Sequence, residues 1–400
     1  MLKLYNNSIC TREGIIMFRE VKSFVLHNTF KAFISAETAV KKMGGGKLVK
    51  NIFDTEPEYV GSSVRILKET DDTTYIAKYD SKGRIDNGDF KIMVTTDLHL
   101  WDEKDLIEKS LDMLARHLAA EKPDLLLITG DAILTDFQQL DCIQFGRFME
   151  KAGIYWAYCF GNHEARAEKE FHKYFMLKNI ESFPHCLSKF GDPSLFGFGN
   201  FKINIMNADN TIKQSIFMFD SGRDMEPEHN VAHGLPADMQ GYDFIKKGQI
   251  EWYKNSIKAL EEEHGRFKSM LLMHIPIKEY EEVYEKVEEG KYIPTGKAEI
   301  LYGGMYEDVG SSPYNSGLFD AILELGSTNA VFSGHDHVND FCALYKGIYL
   351  VYAQCNGYNT YTMGEKFGWP EKDWIQGVTM VNVAKDGSLT FKQRFNRDYL

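Results

Sequence analysis

From Lys91 onward the chain repeats one pattern: a short apolar run, a burst of polar residues, then a stretch with helical period. The runs are KIMV (91–94), DLLLI (124–128), IYWAYC (154–159), SMLLM (269–273) and AVFS (330–333). Runs this short without polar alternation mark strands buried on both faces, and helices between such strands mark an α/β fold. In DEKDLIEKSLDMLARHLAAEK the side chains of Leu106, Ile107, Leu111, Leu114 and Leu118 share a helix face, and Pro123 ends it. Helices are likewise expected over 137–151, 247–263 and 315–325, the last two closed by Gly265 and Gly326. FKINIMN and SIFMFDSG instead predict neighbouring strands, and Asp386-Gly387 predicts a hairpin inside VTMVNVAKDGSLTFKQRF. A mixed pair of sheets covered by helices accommodates this order better than one doubly wound sheet.

Each run ends in polar residues of one kind. KIMV is followed by Asp97 and His99, DLLLI by Asp131, IYWAYC by Asn162 and His163, SMLLM by His274, and AVFS by His335, Asp336 and His337. An isolated Asp or Asn there is an ordinary turn residue, and an isolated His is more often a satisfied core side chain. Five strand ends carrying such groups together are another matter, because ligands bind beyond the carboxyl ends of strands in α/β sheets. The donors are oxygen and imidazole with no thiolate, which suits Mn, Fe or Zn in a hydrolytic site more than a structural zinc site. Asp97, His99, Asp131, Asn162, His274, His335 and His337 are too many for one ion.

The series DLH, GD, GNHE, H and GHDH, in that order, resembles the calcineurin-like metallophosphoesterase superfamily over about residues 88–400. The stretches FDSGRD, GYDFIKKGQIEWYKNS, HIPIKEYEEV and NSGLFDAILE are similar to the purple-acid-phosphatase-like phosphatases of small plant and fungal type. The resemblance implies a four-layer αββα sandwich and two metal ions that share Asp131. Asp97, His99 and His337 would complete one site, and Asn162, His274 and His335 the other. It further implies a phosphatase in which a metal-bridging hydroxide attacks a phosphomonoester in line and His163 is the general acid. A carboxylate such as Asp97 is expected to orient the His163 ring. A phosphodiesterase or nucleotide hydrolase on the same centre is the alternative activity, and a non-catalytic scaffold on this fold is the alternative of another class. True purple acid phosphatases carry Tyr three residues after the GD aspartate, where this chain has Leu134, so an iron tyrosinate does not carry over.

Tyr242 and Arg166 are the candidate substrate contacts. Glu164 could also reach substrate, or belong to a solvated helix start. Asp336 reads equally as a support for its two neighbours or as a surface group. The stretch 221–243 is long, contains Gly and Pro and lacks periodicity, so a non-helical loop over the site is expected, with His229 and His233 at its surface. Residues 290–314 are similar in character and would complete the cap.

The composition narrows the partners. With 44% hydrophobic residues the chain can bury a substantial core. Its 46 basic and 58 acidic residues give a net charge of -12, which opposes general nucleic-acid binding, so a phosphate ester must be met by locally supplied positive charge. No run suits a membrane helix, and the N-terminus lacks the apolar core of a secretory signal. Six dispersed cysteines, with no C-x-x-C pair, fit a reducing cytoplasm. Residues 1–60 are expected to be an N-terminal extension of unknown role, 61–90 a short β lead-in, and 91–400 the catalytic domain.

Overall fold

The computed structural model describes residues 53–400 except 102, 136–137 and 165–169, and except the side chains of 139–140 and 170–172. The chain begins with β1 (Val64–Glu69), β2 (Thr73–Lys78) and β3 (Phe90–Thr95), then α1 (Lys104–Glu121), β4 (Leu125–Ile128), α2 (Gln138–Ala152), β5 (Tyr155–Tyr158) and α3 (Glu170–Ile180). It continues through β6 (Phe201–Met206), β7 (Ile212–Met218), α4 (Pro227–Ala232), α5 (Lys247–His264), β8 (Ser269–Leu272), β9 (Tyr284–Glu288), β10 (Lys291–Pro294) and β11 (Glu299–Tyr302). The last elements are α6 (Leu318–Leu325), β12 (Thr328–Ser333), β13 (Cys342–Tyr345), β14 (Ile348–Tyr352), α7 (Met363–Phe367), β15 (Gly377–Val383) and β16 (Leu389–Phe395).

Two sheets result. A nine-stranded sheet runs β1-β2-β6-β7-β8-β12-β14-β13-β11, and a five-stranded sheet runs β16-β15-β3-β4-β5. Strands β3, β4 and β5 are parallel, as are β7, β8 and β12, while both sheets also hold antiparallel pairs. The expected 61–90 stretch supplies β1 and β2 at one edge of the large sheet.

Successive side chains of a strand face opposite ways, and here each face finds its own core. Ile92, Val94, Leu125 and Leu127 of the small sheet meet Met270, Leu272, Ala330 and Phe332 of the large one. Their neighbours Met93, Leu126 and Ile128 turn outward onto Ile107, Leu111 and Leu114 of α1 and Phe145 of α2. On the far side Leu271 and Val331 pack under Tyr253 and Ile257 of α5 and Ile322 of α6. The layers are therefore helix, sheet, sheet, helix. This explains why the apolar runs have no polar alternation: both faces of each central strand are dry.

Helix ends follow the local chemistry. Lys122 closes α1 in the left-handed region (φ 46°) with Pro123 behind it, and Gly326 closes α6 at φ 69°. Leu106 lies only half-buried at the margin of its helix face. Two loop expectations are corrected. The stretch 221–243 contains α4, which Pro227 starts from a position where its missing N–H costs nothing. The stretch 290–314 contains β10 and β11, and β11 pairs with β13 at the edge of the large sheet.

Candidate metal centre

The tips of β3, β4, β5, β8 and β12 meet where the two sheets face each other. Backbone bonds carry the strand pairing past the strand ends: Asp97 N–H donates to Gly130 O (3.1 Å), His99 N–H to Asp131 O (3.0 Å) and Gly334 N–H to His274 O (3.1 Å). Four candidate ligands lie in the left-handed backbone region, Asp97 (φ 51°), His99 (φ 44°), Asp131 (φ 49°) and His335 (φ 77°). Non-glycine residues are uncommon there, and their clustering is typical of functional sites. The glycines of the GD and GN pairs have a steric reason. A Cβ on Gly130 would lie 2.7 Å from Gly161 N, and one on Gly161 would lie 2.1 Å from Asp131 Oδ1.

The side chains form two groups. Asp97, His99 and His337 offer ligand atoms all within 4.8 Å of one another, and so do Asp131, His274 and His335. Asp97 Oδ1 is 3.4 Å from His99 Nε2 and 3.3 Å from His337 Nε2. Asp131 Oδ2 is 3.2 Å from His274 Nε2 and 3.8 Å from His99 Nε2, so it faces both groups. Asn162 Oδ1 lies 2.9 Å from His274 Nε2. All seven expected ligands converge here.

Two rings are oriented from behind. His274 Nδ1 bonds the Thr129 carbonyl (2.7 Å), and His337 Nδ1 bonds Thr360 Oγ1, which leaves both Nε2 atoms turned inward. Asp97 Oδ2 accepts from Thr96 Oγ1 (2.8 Å) and His335 N–H (2.9 Å), which leaves Oδ1 for the centre. Asp97 Oδ1, His99 Nε2 and Asp131 Oδ2 are buried and have no hydrogen-bond partner. Buried acceptors left pointing at one another are costly unless a cation lies among them, so this donor set fits two hard or borderline cations.

The electrostatics agree. Burial works to raise the carboxyls of Asp97 and Asp131, yet the His274 ring beside them, joined by His337 at Asp97 and His99 at Asp131, holds both below the ordinary carboxylate range. Burial opposes charge on His274, but Asp131 and Asp97 raise it to about 10. His335 is pushed down to about 3 by burial and by His274.

His163 sits at the mouth. Its ring is 35% exposed, its Nε2 is 3.9 Å from Asp131 Oδ2, and its N–H donates to Asp131 Oδ1 (2.8 Å). Asp131 is thus the carboxylate beside it. Asp97, expected to orient this ring, faces His99, His274 and His337 instead. The Tyr242 ring stands edge-on to His335, centroids 4.3 Å apart, and is 37% exposed. Arg166 lies outside the described residues.

Other polar residues take structural places. Glu164 is neither a substrate contact nor a solvated helix start: it is fully buried and accepts the amides of Asp131 (3.0 Å), Ala132 (2.7 Å) and Gly161 (2.6 Å) and the Tyr158 hydroxyl. Asp336 is buried, not a surface group. It takes the Gly310 amide and the Tyr352 hydroxyl, and burial pushes its carboxyl up to about 8. His229 packs on Phe196 and His233 on Phe244, with ring centroids 4.8 and 5.0 Å apart. Leu134 is buried. Sequence reasoning misses Thr360 and Tyr361, whose ring stacks on His337 at 4.3 Å. They lie more than twenty residues beyond their partner, and NTYT has no pattern that marks it.

Residues 90–339 match the family model of the calcineurin-like phosphoesterases, and the chain belongs to that family. Among its relatives is the probable inactive purple acid phosphatase 14 of Arabidopsis thaliana, 29% identical over 340 residues that cover 76% of this chain and 77% of that protein. The phosphatase DCR2 of Saccharomyces cerevisiae is 30% identical over 285 residues, 64% of this chain and 45% of the yeast protein. A solved structure of a dimetal phosphatase from Danio rerio aligns with 77% of this chain and 96% of its own at 14% identity, with a TM-score of 0.45.

Proposed function

We propose that this chain is a binuclear metal-dependent phosphatase acting on phosphomonoesters. The observation that carries the reading is the pair of buried groups joined through Asp131, with three inward-facing polar atoms that have no hydrogen-bond partner. Asp97, His99, Asp131 and His337 would hold one cation, and Asp131, Asn162, His274 and His335 the other. When bound, such a pair supplies a nucleophile from water near neutral pH and neutralises charge on the phosphoryl oxygens. Mn, Fe and Zn all fit these donors, and none calls for a Tyr at position 134.

The protein's own groups do the rest. His163, exposed at the mouth and beside Asp131, gives a proton to the leaving oxygen of the ester. Tyr242 contacts the substrate from the His335 side, and Arg166 is the second candidate contact. The Thr129 carbonyl, which can only accept, holds His274 in the tautomer the centre needs, and Thr360 holds the His337 ring in orientation. A net charge of -12 is then compatible with an anionic substrate, because the attraction is local.

The test is turnover of p-nitrophenyl phosphate against its bis ester by protein loaded with Mn, Fe or Zn. The expected result is a preference for the monoester; a marked preference for the diester would make the chain a phosphodiesterase. His163→Ala should lose roughly 10²- to 10⁴-fold in kcat, more on an alkyl phosphate than on p-nitrophenyl phosphate, whose leaving group needs little protonation. The name of the Arabidopsis relative, a probable inactive phosphatase, favours a second reading, a fold of this family that binds without turnover. Equal rates for wild type, His163→Ala and Asp131→Asn would establish it. Among the described residues no helix is long and apolar enough to cross a membrane, and Cys159, Cys186, Cys342 and Cys355 are free and buried. The free thiols support placement in the reducing cytoplasm, which fractionation checks.

A further inference from the structure

The β4 and β5 loops are knit together by a reciprocal exchange. Asp131, after β4, accepts the N–H of His163 from the β5 loop (2.8 Å). Glu164, from the β5 loop, accepts the N–H groups of Asp131 and Ala132 (3.0 and 2.7 Å) and also that of Gly161 in its own loop (2.6 Å). Tyr158, the last residue of β5, donates its hydroxyl to the same carboxylate. The loops touch so closely at Gly130 and Gly161 that neither position has room for a side chain. Asp131 holds its left-handed backbone (φ 49°) while its own amide is bound to Glu164.

We propose that Glu164 is the positioning residue that sets Asp131 and Asn162 where one cation can reach both, and so governs occupancy of the group they share with His274 and His335. The Asp97, His99 and His337 group depends on it less, because Thr96 and Thr360 orient that group independently. The inference rests on the two-cation reading above. A carboxylate suits the role because four N–H groups, those of Asp131, Ala132, Ile133 and Gly161, and one O–H group point at it, and all five are donors.

The test is Mn(II) binding to the full chain, read by equilibrium dialysis with elemental analysis and by electron paramagnetic resonance. Wild type should take up a pair of spin-coupled ions. Glu164→Ala should keep one ion with an uncoupled six-line spectrum and lose on the order of 10- to 100-fold in affinity for the other. Glu164→Gln should fall between, since its amide oxygen still accepts but its NH₂ opposes the N–H donors. It also serves if the Ala variant does not fold. A spin-coupled pair bound at wild-type affinity by either variant would overturn the proposal. Failure of the wild type to take up Mn(II) would instead overturn the two-cation reading and this inference with it.

Discussion

Two of the regions that bury carboxylates treat them differently. Below the 221–243 loop, Asp220 receives the ammonium of Lys173 at 2.8 and 3.0 Å, and Asp243 receives that of Lys246, all four side chains being buried. At the junction of the sheets Asp97 and Asp131 are buried just as deeply, but the groups facing them are imidazoles whose neutral form can bind a metal. One region pairs each carboxylate with an ammonium; the other gathers carboxylates and imidazoles that could hold a cation. Burial alone therefore says little about function, and the partner's chemistry decides.

Three experiments would break or sharpen that contrast. Asp131→Asn has the largest expected effect. It keeps the shape but removes the charge facing both groups, so Mn(II) uptake should fail and kcat/KM should drop at least about 10³-fold, the equivalent of several kcal/mol. Wild-type metal content in this variant would erase the difference between the two regions. Lys173→Met should do the opposite: stability to urea falls by about 3–5 kcal/mol because Asp220 is left unpaired, while metal stoichiometry stays intact. The smallest effect is a pH dependence of the metal-free protein. His274 is raised from 6.5 to about 10, so its charged form contributes stability that is full below about pH 6.5 and is lost as pH rises toward 10. Mn(II) must displace that proton, so loading at neutral pH should release acid measurable in weakly buffered solution. No proton release at neutral pH would count against the charged ring.

The five strands that end at the site, and the metal-competent residues at their tips, are legible in the sequence because periodicity and strand ends are local signals, whereas β9, β10, β11, β13 and β14 carry no such pattern. Asp97, Asn162 and His337 could be placed by the short motifs around them. The supporting roles were not legible, because they depend on contacts across sheets. Glu164 looks like a solvated helix start until Asp131 and Ala132 are seen to donate to it from another loop. Asp336 reads equally as a support or a surface group until Tyr352 arrives from a later strand. The short helix at Pro227 was hidden by composition, since Pro and Gly lower helical expectation without regard to their place in the turn.

The bond from His274 to the Thr129 carbonyl joins residues at the ends of strands in different sheets, and His335 reaches Asp97 across the same division. Neither half of the sandwich carries a working constellation by itself. Anything that lets the layers breathe apart, even far from the mouth, would scatter the metal-competent side chains of both groups together, so the geometry of the centre becomes a sensitive gauge of how tightly the whole interior is shut.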